Sequence, residues 1–416
     1  MTAEPLWDLV VVGAGPAGAT AALGALHERP GARVLLLDRA DFPRDKSCGD
    51  GVAPHVLDVL GHVGAGAVAD RLRRDHSPVS TLQLSLGGLE VERAMRRPAL
   101  VVPRADLDAR LVDAAVAAGA VLRRHRVRHV ATAAGEVVLD GSVRGRVVVA
   151  ADGARSEVRR ALGAPLRGRT ALGLRGYAPT PRHRAGRQVI RFGEERQPSY
   201  AWSFDRGDGW SNVGYGEVLG GRHHPPTHAL MVDRLEALLP GSTAGAASWR
   251  GHHLPLSTAG TGREQPDGRV LFAGDAAGLV NPLTGEGIYY AVATGAMAGR
   301  LAVQAPGEDR HPLFPVVAGR GAVDEGPGSG YRRALRRLLR GNLASTAAAG
   351  RLTASPRVLA AGLSAAARDQ EVFDDLVELG LGRGVLTPRL LRGLWGGLAG
   401  GSPQWASRDT RVLDLG

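Results

Sequence analysis

Hydrophobic residues along this chain cluster in two distinct ways. Leu9–Val12, Val34–Leu37, Val147–Ala151 and Val270–Ala273 are short apolar runs with no polar interruption. Such runs mark strands buried on both faces, because a half-exposed strand alternates apolar with polar positions. Each run leads into glycine or an acid: Gly13, Asp38, Asp152-Gly153 and Gly274-Asp275. By contrast, Tyr200, Trp202 and Phe204 recur at every second position, which sets three large rings on one face of a strand. Further strands are expected within Thr81–Met95 and Gln188–Phe192. From Tyr331 to Arg340 the period becomes helical: Leu335, Leu338 and Leu339 form a stripe flanked by five arginines.

These elements predict an α/β protein in three parts. A sheet-and-helix domain is assembled from the discontinuous pieces 1–75, 98–165 and 262–305. A mainly antiparallel sheet uses 76–97 and 166–261 and is inserted into it. Residues 306–416 hold the rest of a Pro- and Gly-rich linker, which begins near Ala305, and a helical C-terminal region reaching to about residue 398. No internal repeat is visible.

The turn after the first run is Gly13-Ala14-Gly15-Pro16-Ala17-Gly18, and Ala19–His27 follows with helical composition. In a strand–turn–helix unit of this kind Gly13 permits the tight turn, Gly15 lets the backbone approach a pyrophosphate, and Gly18 allows close packing of helix on strand. The helix N-terminus then faces the phosphate charge. The second run ends in Asp38-Arg39. Asp38 lies twenty residues after Gly18, the usual distance for an acid that hydrogen-bonds a ribose. Strand, glycines, helix, second strand and acid in this order predict a Rossmann-type unit that binds an adenine dinucleotide.

Later segments favour FAD over NAD. Gly274-Asp275 ends a buried strand, and Asn281–Gly287 then leads into a small-residue helix from Ile288. A strand-end acid can hold the ribityl chain of a flavin, and a helix N-terminus can stabilise charge on its reduced ring. Asp152-Gly153 ends another strand with Arg155 just beyond, and Arg104 opens a helix after Pro103. No second GxGxxG follows a strand, so a nicotinamide donor, if used, would bind transiently.

On these motifs the chain resembles the flavoprotein superfamily with the fold of para-hydroxybenzoate hydroxylase. Asp45–Gly51, Tyr200–Phe204 with Asn212-Val213-Gly214, Asn281–Tyr290 and Leu379–Pro388 are similar to segments of the geranylgeranyl reductase family, over roughly residues 8–390. The resemblance implies cofactor contacts from Gly13, Gly15, Ala17 and Gly18, from Asp38 and Arg39, from Cys48 and Gly49, and from Arg104 and Asp152. It extends them to Gly274, Asp275, Gly285, Gly287 and Ile288. It implies reduction of isoprenoid C=C bonds by reduced FAD, fed by NAD(P)H or reduced ferredoxin. Asp205 stands where that family often has proline, which bears on the shape of the substrate pocket. Related sequences act as monooxygenases, epoxidases or hydroxylases, on apolar isoprenoid or polyketide substrates. A third class, prenyl-binding escort proteins, shares the GxGxxG architecture without flavin chemistry.

Two features carry candidate chemistry. Only 4% of the residues are aromatic, so the Tyr200, Trp202 and Phe204 face reads as a wall for an apolar substrate or as ordinary sheet core. Cys48 is the sole cysteine and Lys46 the sole lysine. Reducing an alkene needs a hydride at one carbon and a proton at the other. Cys48 is the candidate proton donor, with Lys46 placed to lower the thiol pKa. The other reading is that Cys48 only packs in a tight glycine loop.

The net charge of +11 would suit an anionic partner, but 51 of the 52 basic residues are arginine, a bias that with abundant Ala and Gly fits GC-rich coding. No aromatic residues interleave with basic ones as a nucleic-acid surface requires, so none is expected as a partner. A single cysteine excludes an intrachain disulfide. His223-His224 and His252-His253 read as solvent-facing loop residues and no metal site is expected. The Tyr331–Arg340 helix could seat the chain on an anionic membrane or pack its leucines inward. With no basic-then-apolar leader before the first strand, a reduced, cytoplasmic setting is expected, peripheral to the inner membrane face if that helix docks.

Overall fold

The computed structural model describes residues 5–399 except 134, 195–197, 221–223, 267 and 305–325. The four apolar runs form the parallel centre of one sheet. Trp7–Val12 pairs in parallel with Val34–Asp38 and with Val143–Ala150, and Val121–Arg124 adds to the free edge of Val34–Asp38. The other edge of Val143–Ala150 is shared. Residues 148–150 take Val270–Phe272 in parallel, and residues 143–145 take the antiparallel hairpin of Glu136–Leu139 and Val130–Ala133. The runs are buried on both faces, as their lack of alternation requires.

Two helices pack on each other against this sheet, Pro16–Glu28 and Ile288–Val303, and glycines set their separation. A Cβ on Gly295 would lie 2.1 Å from the Ala17 carbonyl oxygen, and one on Gly299 would lie 1.8 Å from that of Ala21. A larger residue at either position forces the helices apart.

The second sheet has eight strands in the order Ala247–Pro255, Thr170–Pro179, Trp210–Val218, Ser199–Asp205, Arg187–Phe192, Val79–Leu86, Leu89–Val101 and Gly51–Val52. All its pairings are antiparallel except that of Arg187–Phe192 with Val79–Leu86. Gly51–Val52, expected with the dinucleotide unit, hydrogen-bonds into this sheet, and Leu89–Val101 runs across the expected boundary at residue 97. Alternation sorts its faces. Val189, Ala201 and Val213 pack with Met231 and Leu235 of the helix His228–Leu238, while Leu82, Leu84 and Ile190 face the opposite way, toward the C-terminal helices.

Among the described residues the C-terminal region has four helices, Pro327–Leu352, Pro356–Arg368, Gln370–Leu381 and Pro388–Ala399. Leu335, Leu339 and Tyr331 are fully buried in the first core and Leu338 packs on it. Of the two readings of the leucine stripe, a membrane seat or an inward-packed face, the second holds, because periodicity gives a helix its apolar face but not what covers it. Most of the expected linker lies outside the described residues. Among the described residues no helix is long and apolar enough to cross a membrane.

Candidate functional site

The turn after Trp7–Val12 is shaped by contacts that only glycine permits. Gly13 has φ +97°, and a Cβ there would lie 2.4 Å from the Ala151 carbonyl oxygen. A Cβ on Gly18 would lie 1.7 Å from the Gly13 carbonyl oxygen. Gly15 differs: its Cβ position opens toward the Arg44, Arg104 and Asp108 side chains at 3.5–4.0 Å. Pro16 begins the helix without wasting a hydrogen bond, since the first N–H groups have no intrahelical acceptor. Asp38 closes the turn. Its Oδ2 accepts from Ala14 N at 2.8 Å and its Oδ1 from Ala40 N at 2.9 Å. Asp38 lines the cavity, with Arg44 3.7 Å from its Oδ2. Arg39 stands exposed at the rim.

Beyond Gly15 the wall is cationic. Arg104, the first residue of the helix Arg104–Ala117, is buried and pairs with Asp108 through two hydrogen bonds of 2.7 and 2.8 Å. Burial opposes its charge, but Asp108 more than offsets this and holds it protonated. Arg44 lies 3.5 Å from the same carboxylate. Two guanidiniums beside a helix N-terminus, next to the space that the missing Gly15 Cβ leaves open, suit a pyrophosphate. Asp152 lines the same cavity with its Oδ1 buried and unpartnered, and burial raises its pKa. A dinucleotide hydroxyl could donate to that oxygen.

Gly274 (φ +58°) and Asp275 sit at the end of Val270–Phe272. Burial raises the Asp275 pKa, but Lys46 Nζ and His252 Nε2, each at 3.8 Å, together with Arg104, outweigh it and hold the carboxyl at about 2. Lys46 is itself pushed below the ordinary lysine range by desolvation. His252 and His253 thus lie on the partly buried strand Ala247–Pro255 and not in a solvent-facing loop; His252 faces the site. His224 is exposed and His223 lies outside the described residues. Among the described residues no group of three or more His, Cys, Asp or Glu is placed to hold a metal.

The Asn281–Gly287 turn closes the far side. Asn281 donates to the Leu379 and Gly380 carbonyl oxygens at 3.0 and 3.1 Å, which ties the turn to the C-terminal helices. Gly285 has φ +73°, and a Cβ there would lie 3.1 Å from the Tyr200 hydroxyl. Gly287 faces Asp275, and Ile288 starts its helix. Glu286, not singled out from the sequence, lines the cavity with Oε1 accepting from Tyr289 N at 2.8 Å. Desolvation raises its carboxyl to about 7.

The loop from Asp45 to Gly51 is clamped onto the second sheet. Asp45 pairs with the buried Arg175 and with Arg250. Asp50, with φ +59° and no exposure, accepts from Tyr177 Oη at 2.6 Å and from Asn212 Nδ2 at 2.8 Å. Its burial nevertheless raises it to about 6. The second Asn212 donation goes to the Cys48 carbonyl oxygen at 2.8 Å, while Trp202 Nε1 donates to Asn212 Oδ1 at 2.8 Å. Burial pushes the Cys48 thiol up to about 11, with Arg104 pulling the other way. The expectation that Lys46 would lower this pKa is overturned: Lys46 turns to Asp275, and desolvation governs the thiol.

Gly49 packs on the aromatic wall, where a Cβ would lie 3.4 Å from the Phe204 ring. Tyr200, Trp202 and Phe204 stand in a row on Ser199–Asp205, with ring centroids 5.8 and 6.4 Å apart. Tyr200 also donates to the Thr284 carbonyl oxygen, joining this wall to the glycine turn. One cavity of about 1110 Å³ brings together the expected residues Gly13, Gly15, Ala17, Asp38, Arg39, Cys48, Gly49, Arg104, Asp152, Asp275, Gly285, Gly287, Ile288 and the three rings, with Lys46 and Glu286, whereas Gly18 and Gly274 do not line it. From the aromatic wall it continues between Leu82, Leu84 and Ile190 of the sheet and Leu359, Leu363 and Leu376 of the C-terminal helices. One end is cationic and carboxylate-lined, the other mainly apolar, with Gln188 and Thr353 as polar lining residues near it. The residues at the first end fit FAD.

A family model described as an FAD binding domain matches residues 7–304. A menaquinone reductase from Mycolicibacterium smegmatis is 34% identical over 337 residues, covering 74% of this chain and 80% of that protein. A digeranylgeranylglycerophospholipid reductase from Methanopyrus kandleri is 32% identical over 318 residues, covering 73% and 82%. Among solved structures, a geranylgeranyl bacteriochlorophyll reductase-like protein from Thermoplasma acidophilum superposes with a TM-score of 0.71. That match covers 94% of this chain and 96% of the other at 19% identity, a likeness of fold.

Proposed function

This chain belongs to the FAD binding domain family, and from that premise we propose that it saturates C=C bonds of an isoprenoid chain with reduced FAD as the hydride source. It is an FAD-dependent oxidoreductase with curated relatives named as reductases. One observation supports the substrate class above the others: the cavity that begins at the dinucleotide turn continues as an apolar arm between the second sheet and the C-terminal helices. A polyunsaturated hydrocarbon tail is the ligand such an arm suits, because apolar contact without directional bonds favours burial in proportion to area.

FAD, when bound, supplies the hydride for one alkene carbon. The chain supplies the rest. Gly13, Gly15, Ala17, Gly18, Asp38, Arg39 and Arg104 would hold the adenosine and pyrophosphate part. Asp152, Gly274 and Asp275 would hold the middle of the cofactor, and Gly285, Gly287 and Ile288 would set a helix N-terminus toward its ring. Cys48 and Gly49 would meet the ring from the loop, and Tyr200, Trp202 and Phe204 form the wall for the substrate. The Cys48 thiol, neutral well above pH 7, carries a proton at this wall. It gives that proton to the second alkene carbon, Arg104 stabilises the thiolate left behind, and water entering the cavity restores the thiol. The atoms balance as one hydride and one proton added across one double bond. NAD(P)H or reduced ferredoxin renews the cofactor in this reading.

Mass spectrometry of the product tests the reaction type. Reduction makes each product heavier by two hydrogens per bond, whereas a monooxygenase product gains an oxygen atom.

A further inference from the structure

The apolar arm of the cavity reaches the surface at its far end, among Leu352, Val358, Leu386, Leu390 and Leu394. Leu352 there is 45% exposed. The helix Pro388–Ala399 forms this rim and carries an apolar arc wider than packing needs. Gly393 and Gly397 face Ala365 and Ala361 of the neighbouring helix, and Leu390 and Leu394 line the cavity. At 100° per residue the next positions round the helix are Leu398, Leu391 and Trp395, which are 44%, 47% and 76% exposed. The arc therefore passes from a packed face, across the cavity lining, to open surface without a polar interruption. Arg351, Arg357 and Arg392, all exposed, adjoin Leu352, Val358 and Leu391 in sequence.

We propose that this rim, centred on Trp395, Leu391, Leu398 and Leu352, is the surface by which the protein docks on an anionic lipid bilayer and draws its substrate tail directly into the cavity. The inference rests on the isoprenoid reading of the site and adds where such a substrate enters. An exposed apolar arc with tryptophan at its edge and arginines beside it matches an interfacial helix, whose rings settle at headgroup depth while guanidiniums meet anionic lipid. A water-filled entrance would need no such collar, since a prenyl tail has no soluble path to it. The surface differs from the leucine stripe of Pro327–Leu352, which is core.

Flotation of the full chain with phosphatidylglycerol vesicles, with phosphatidylcholine vesicles as the comparison, tests this. The wild type is expected to float with the anionic vesicles, and the double variant L391D/W395D to lose at least tenfold in bound fraction. The variant should keep its flavin content and its turnover on a detergent-dispersed prenyl substrate. Absence of wild-type binding, or binding unchanged in the variant, overturns the proposal. So does a wild-type dimer that the two substitutions dissociate, which would make a second copy the occupant. Loss of anionic-vesicle selectivity on deleting residues 400–416, with the arc intact, would reassign the contact to that segment. The substrate reading fails separately, if prenyl lipids in detergent never reoxidise the reduced flavin while vesicle binding persists.

Discussion

Asn212 holds the backbone of Cys48: its Nδ2 donates to the Cys48 carbonyl oxygen at 2.8 Å from a strand 164 residues away in sequence. The same amide group donates to Asp50, and its oxygen accepts from Trp202. One buried side chain thereby fixes the thiol loop against the aromatic wall. Removing it leaves an indole N–H, a carbonyl and part of a carboxylate without partners.

Asn212→Ala should therefore cost about 2–3 kcal/mol in urea unfolding, the range for stranding buried polar groups. Because the loop loosens beside the reacting centre, kcat should fall more than FAD affinity does. Unchanged stability with unchanged kcat would show that these bonds do not position the loop.

The Cys48 role has a sharper test. Cys48→Ala removes a small, half-buried side chain and should leave folding and FAD content intact. Loss of a general acid commonly lowers rate by about 10² or more, so alkene reduction should drop by that order. Full turnover would assign Cys48 to packing alone.

Two neighbouring glycines should respond differently. Gly18→Ala places a Cβ on the Gly13 carbonyl oxygen and should lower both stability and FAD content. Gly15→Ala meets only side-chain atoms at 3.5 Å or more and has φ −71°, so the apo-protein should melt near the wild-type temperature. Its methyl group fills the pyrophosphate cradle, and FAD affinity should fall at least tenfold by titration of apo-protein. Normal affinity in Gly15→Ala would move the pyrophosphate elsewhere.

Glu286 and Asp275 predict opposite pH effects on apo-protein stability. The folded pKa of Glu286 is raised from 4.5 to about 7, so between these values the folded state binds a proton the unfolded state has lost. Stability then falls as pH rises through that window, by about 1–3 kcal/mol, the lower end because the carboxyl lines an open cavity. Asp275 is depressed from 3.8 to about 2, so its contribution is present above 3.8 and is lost as pH falls through 2. Urea unfolding of wild type and Glu286→Gln at pH 5 and pH 8 checks the first effect. The variant should lose that part of the slope, and identical slopes would contradict it.

What the sequence revealed and what it concealed divide along one physical line. Gly13, Gly18 and Asp38 are legible because backbone geometry within one strand–turn–helix unit sets them, and Gly274 because it ends the buried strand of a second such unit. The shared face of Tyr200, Trp202 and Phe204 was legible from strand alternation. The clamps were not. Tyr177 reaches Asp50 across 127 residues and Arg175 reaches Asp45 across 130, contacts created by sheet pairing that no local pattern encodes. Lys46 and Cys48 are near neighbours in sequence, yet only the folded loop shows that the lysine serves Asp275. Nothing in the local sequence singles out Glu286, because burial in the cavity wall sets its proton affinity.

Reduced flavin in this cavity should pass hydride to a prenyl alkene. The most direct test of this transfer is anaerobic: the bound flavin is reduced stoichiometrically, excess donor is removed, and a polyprenyl lipid in detergent is added. The visible absorbance of oxidised flavin should return without oxygen, with product heavier by two hydrogens per flavin reoxidised. Absorbance that returns only when air is admitted, with product gaining an oxygen atom, would contradict the claim.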